Sequence, residues 1–159
     1  MKKYTSFILS ALIWCGTTVF AQPVKPLWSQ SVPEGVAWQM VTSFGNYVIG
    51  TADGLAGIDP DKGTVIWRNR DVGKLVADNV KQLGSSPMLS VNTGATVYFI
   101  DPFSGQIKFD SRSAGINEIK DQHVLYQANG ILISGRNAEN KDILLMSSMV
   151  DGKVAWKIE

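Results

Sequence analysis

Cysteine and histidine are nearly absent from this chain: its 159 residues hold one of each, Cys15 and His123. Cys15 lies in a stretch expected to be removed, so the mature chain has no thiol. That excludes a disulfide scaffold and thiolate catalysis, even in a compartment where disulfides form. A basic surplus is missing as well. Without residues 1–21 the chain keeps 13 basic residues against 14 acidic ones, a net charge of −1. Phosphate-binding surfaces carry excess positive charge, so nucleic acid is not an expected partner. After residue 22 no apolar run approaches the roughly 20 residues that span a bilayer, so no transmembrane segment is expected in the mature chain. Nor does any run there combine helical periodicity with capping. A phosphate loop, a dinucleotide fingerprint, a nucleophile elbow and a zinc-protease motif are all missing.

What is present begins with a signal of export. Lys2 and Lys3 form a positive end, Phe7 to Trp14 an apolar run, and Val19, Phe20 and Ala21 a small-x-small pattern, so cleavage is expected after Ala21. The run is too short for a membrane anchor. Trp14 stands before Cys15 where lipid attachment wants a small residue, so Cys15 is read as part of the discarded peptide. The product would be periplasmic or extracellular. The remaining 138 residues, 22–159, suit one domain of ordinary size.

Internal repetition decides the reading of those residues. Gly57 to Trp67 aligns with Phe99 to Phe109 and with Met146 to Trp156. In each copy a turn glycine (Gly63, Gly105, Gly152) precedes an aromatic residue (Trp67, Phe109, Trp156) by four positions, and the glycines lie 42 and 47 residues apart. Asp59-Pro60 and Asp101-Pro102 supply turn starts in which proline presets φ. Trp28 sits 39 residues before Trp67 and reads as the aromatic end of a preceding unit. Between these marks lie short strand signals. Tyr47 to Thr51 runs into Asp53-Gly54 and Met88 to Asn92 into Thr93-Gly94, where hairpin turns want positive φ. The third unit is looser, with Gly130 to Gly135, a polar loop from Arg136 to Lys141, and Asp142 to Met146. Each unit, approximately 28–67, 68–109 and 110–156, is expected to form four antiparallel strands.

The pattern small-apolar-Asp-x-x-x-Gly-x-x-x-Trp resembles the repeat of PQQ-like (pyrrolo-quinoline quinone) β-propellers. Gly57 to Trp67 matches it with Lys62 in place of threonine; the second copy has Phe109 for tryptophan, and the third has Ser148 for aspartate. The resemblance implies an all-β fold, a partial β-propeller of about three four-stranded antiparallel blades of the PQQ- and WD40-like kind. It further implies a packing role for Trp67, Phe109 and Trp156. Closed propellers have about four to eight blades. Three blades therefore imply a fragment of a longer propeller, the alternative being an edge that pairs with another chain.

Candidate chemistry is sparse. Asp59 and Asp61 suggest the start of a calcium loop, but the twelfth position is Arg70 and the sixth Thr64, where glutamate and glycine are required; a hairpin turn accounts for them better. His123, expected at a strand start, has no second histidine, cysteine or clearly placed carboxylate in sequence to make it a base or a ligand. Arg136, Asn137, Glu139, Asn140, Lys141 and Asp142 read as a solvated loop. Trp28, Trp38, Trp67 and Trp156 read as packing residues. No catalytic, cofactor-binding or metal residue is assigned. The function expected is a non-enzymatic interaction or scaffolding module of the cell envelope, similar to the assembly-factor propellers of the outer membrane. Its partners would be other proteins or the missing blades. The alternative is a fragment of a quinoprotein dehydrogenase, for which the resemblance implies PQQ and calcium on the propeller axis.

Overall fold

The computed structural model describes residues 24–159. The expected signal segment, its cleavage site and Cys15 lie outside the described residues. The chain is all-β, with three consecutive four-stranded antiparallel sheets arranged as in a partial propeller. Sheet 1 is the meander β1 (Trp38–Val41), β2 (Tyr47–Gly50), β3 (Leu55–Ile58) and β4 (Val65–Asn69). Sheet 2 is β5 (Val80–Gln82), β6 (Leu89–Asn92), β7 (Val97–Ile100) and β8 (Ile107–Asp110). Sheet 3 is β9 (Glu118–Leu125), β10 (Gly130–Arg136), β11 (Asp142–Ser148) and β12 (Val154–Ile158). Each sheet falls in one expected unit, ending one or two residues past it. Residues 28–37, placed in the first unit, form no strand.

The repeated turns have one construction, and the third copy keeps it without the aspartate. Gly63 donates its amide to the Asp59 carbonyl at 2.8 Å, Gly105 to Asp101 at 2.8 Å and Gly152 to Ser148 at 3.0 Å. All three glycines sit at φ of 70 to 72°, the left-handed region that favours glycine. Asp59 Oδ1 accepts the amides of Asp61 and Lys62 at 2.9 and 3.1 Å, and Asp101 Oδ1 accepts that of Phe103 at 2.9 Å. Ser148 Oγ takes the same place, accepting the amides of Val150 and Asp151 at 3.1 and 3.4 Å. A short side-chain acceptor at the turn start is the physical requirement, and serine meets it. Gly54 departs from expectation. It is not among the left-handed glycines; a Cβ there would strike the Asn69 carbonyl, so close backbone approach explains it.

The core lies between the sheets. Val48, Leu55 and Trp67 of sheet 1 meet Val80, Leu89, Val91 and Ile100 of sheet 2. Val97, Phe99 and Phe109 of sheet 2 meet Ile131, Ile133, Ile143 and Leu145 of sheet 3. Val48, Leu89, Ile100, Ile131, Ile133 and Leu145 are completely buried, and each contributes about 1.5–3 kcal/mol by leaving water. A sheet alone buries neither face, so stability comes from stacking neighbours.

Candidate functional site

Strand register brings one residue from each strand of a sheet into a transverse row. In sheet 1 that row is Met40, Val48, Gly57 and Trp67; in sheet 2 it is Lys81, Ser90, Phe99 and Phe109. Both rows face the following sheet. The sheet 3 equivalent is His123, Leu132, Met146 and Trp156.

The aromatic at the end of the row fastens one sheet to the next. Trp67 donates its indole N–H to the Pro102 carbonyl at 2.9 Å, and its ring covers Gly105, where a Cβ would collide with it. Asn69, two residues on, donates to the Gly105 carbonyl at 2.8 Å. Trp28 repeats the arrangement one unit earlier: its N–H reaches the Pro60 carbonyl at 2.7 Å and its ring covers Gly63. With Val32 it packs against Ile49, Ala56 and Ile58 and so covers the outer face of sheet 1. Trp38, outside the repeat, lies across Gly50 and donates to the Leu75 carbonyl at 2.9 Å. Phe109 works differently. It stacks on Phe99, with centroids 4.7 Å apart, and has no N–H to reach the next turn.

Trp156 is the exception to the packing role expected of the tryptophans. It is 41% exposed, against 8% for Trp67, and every residue of β12 is exposed. Around it Leu132, Leu144 and Met146 are only half-buried, and Val154 and Ile158 on its own strand are exposed. Met146 lies over Gly130. Among the described residues nothing covers this face. Strands β10 and β11 carry near-continuous apolar runs, Ile131-Leu132-Ile133 and Ile143-Leu144-Leu145-Met146, the pattern of strands covered on both faces. These runs stand in the sequence, where they signal a strand without saying what lies on its second face.

The remaining candidates are engaged locally. Asp59 serves its turn through Oδ1, and its Oδ2 lies 3.9 Å from Lys62 Nζ. His123 is the sixth residue of β9, near the strand's end instead of its start. Its Nε2 lies 2.8 Å from Asp121 Oδ2, both side chains more than half exposed. Alternation along a strand puts i and i+2 on one face, so this pair was readable in the sequence. Ser134 lies opposite Asp121, while His123 lies opposite Leu132. The expected polar loop is a hairpin connection in which Asn137 Oδ1 accepts the amides of Glu139 and Lys141, both at 2.9 Å. Lys120, then Arg136, holds the Asp142 carboxyl below its ordinary range. A cleft of about 410 Å³ opens between sheets 2 and 3, lined by polar groups such as Lys81 of β5 and Glu118 and Lys120 of β9.

The N-terminal segment is also held electrostatically. Glu34 lies 3.3 Å from Arg68 Nε and 3.4 Å from Arg70, whose Nε reaches Asp53 at 2.7 Å. The Glu34 carboxyl is lowered chiefly by its own backbone amide and, against some desolvation, by Arg68; that of Asp53 is lowered by the Thr51 hydroxyl and then by Arg70.

No protein-family model matches the chain, and no curated protein matches it. Among the described residues no helix is long and apolar enough to cross a membrane.

Proposed function

We propose that this chain is a propeller-repeat module of the PQQ-like type, exported to the cell envelope, where it binds other proteins without catalysing a reaction. The observation that carries the reading is the exposed apolar face of sheet 3, centred on Trp156. Isolated exposed hydrophobic residues are ordinary, whereas a contiguous apolar face with an aromatic at its centre is the composition of a binding surface. The PQQ-like character rests on the Asp-Pro turns, their positive-φ glycines and the aromatic residue, Trp67 or Phe109, that follows each glycine by four positions.

Photo-crosslinking tests the reading. A photoreactive residue at position 156 is expected to form adducts with protein in living cells, while the same residue at exposed Ile66 forms far fewer. Addition of PQQ and calcium is expected to produce no alcohol or sugar oxidation. Equal labelling at both positions, or PQQ-dependent turnover, would overturn the assignment.

A further inference from the structure

The exposed row of sheet 3 has a counterpart elsewhere in the same molecule. Sheets 2 and 3 each present a receiving face to the sheet before them, built from Leu89, Val91 and Ile100 in one and Ile131, Ile133 and Leu145 in the other. The equivalent face of sheet 1 is Ile49, Ala56 and Ile58. Among the described residues no sheet covers it; the strandless segment around Trp28 and Val32 does. The described residues therefore carry a donor face on sheet 3 and a receiving face on sheet 1.

The two fastenings differ in burial. The bond from Trp67 to Pro102 is buried, and the one from Trp28 to Pro60 is exposed. Pro60 itself is exposed, whereas Pro102 is buried. Trp28 thus occupies the Gly63 turn without the sheet that, at the Gly105 turn, arrives together with Trp67.

We propose that sheet 3 docks on sheet 1 of a second copy of this chain, with Trp156 replacing the second copy's own Trp28 over Gly63 and donating to the Pro60 carbonyl. The proposal rests on the reading of sheet 3 as a binding surface and names its occupant. Its basis is continuity with the junction between sheets 1 and 2, where the tryptophan at the same row position covers the Gly105 turn and donates to the Pro102 carbonyl; the junction between sheets 2 and 3 keeps the apolar contact but has Phe109 in that place. The contact is heterologous, because donor and receiver are different surfaces, so copies assemble head to tail into a closed set or an open chain. Leu132 and Met146, half-buried in one copy, become fully buried against Ile49 and Ile58.

Sedimentation velocity of the mature chain across a concentration series tests this. Self-association is expected, and Trp156→Ala weakens it by about 30-fold or more, the scale for truncating a buried interface tryptophan. Trp28→Ala is expected to strengthen association by removing the competitor for the Gly63 turn; a purely structural role for Trp28 would not move the equilibrium in that direction. Ile158→Glu, on the same exposed face, repeats the test away from the indole, and circular dichroism confirms that each variant is folded. Mixing Trp156→Ala with Gly63→Ala chains restores one contact per pair, since each supplies the surface the other lacks. A chain that stays monomeric at every concentration, or one whose association is indifferent to Trp156 and Trp28, would overturn the proposal. A monomer that still crosslinks from position 156 to a different protein overturns this inference alone; loss of both signals overturns the binding reading as well.

Discussion

Gly57 lies directly across the sheet from Trp67, and the indole lies over the space that a side chain at Gly57 would fill. The equivalent pair in sheet 2 is Phe99 and Phe109, two rings in contact. The largest ring, Trp67, stands beside glycine, and the smaller ring, Phe109, beside a second phenylalanine. Close-packed interiors conserve volume in this way, and the compensation explains why the second copy of the repeat has phenylalanine where the first has tryptophan.

Exchange of these residues should therefore be non-additive. Phe109→Trp alone adds volume beside Phe99 and is expected to cost about 1–3 kcal/mol. Phe99→Gly alone removes a buried ring, at about 3–5 kcal/mol, and adds the weakness of a strand glycine. The double variant rebuilds the pairing of sheet 1 and is expected to be less destabilised than the sum by about 1 kcal/mol or more. Urea unfolding of the four proteins measures the coupling; simple additivity would show that the two positions do not share one space.

Gly105 and Gly94 both sit at positive φ, 70 and 83°, but only Gly105 lies beneath an indole; around Gly94 there is open space. Gly94→Ala is expected to cost only the backbone conformation, roughly 1–2 kcal/mol. Gly105→Ala pays the same and also displaces Trp67 from the Pro102 carbonyl, a buried acceptor whose loss adds about 1–3 kcal/mol. Thermal unfolding of the two variants separates the terms, and equal shifts would remove the fastening role from Trp67.

Acid should loosen the N-terminal segment before it unfolds the sheets. The carboxyls of Glu34 and Asp53 are lowered in the folded state, so their ion pairs stabilise fully above the ordinary carboxylate range. That contribution disappears as pH falls through the depressed values. The pairs are exposed, and salt screens them. Protection of the Trp28 indole N–H, taken relative to the intrinsic exchange rate at each pH, is expected to fall on acidification, and Arg70→Ala to bring the same loss to higher pH. Exchange at Trp67, in a buried bond, should lag behind; simultaneous release of both indoles would mean that the segment has no separate opening.

Much of this architecture was legible along the chain. The spacing of Gly63, Gly105 and Gly152 from their aromatics marked the last hairpin of every sheet, because a left-handed turn and a ring four residues later are both local requirements. Ser148 looked like a departure and is not one, since any short acceptor closes the turn. The His123–Asp121 contact was readable from strand alternation. The cover that Trp28 gives sheet 1 was not, because nothing local distinguishes a tryptophan that ends a sheet from one in a strandless segment that covers a sheet.

Sequence alone determined that the chain is a series of four-stranded repeats, since alternation, turn residues and period are properties of neighbours in the chain. The fate of each aromatic was decided only in three dimensions. Trp67 and Trp156 occupy the same place in the repeat, yet one is buried and the other is exposed. Burial depends on what the facing sheet supplies, and that is set by stacking at a distance no local pattern encodes.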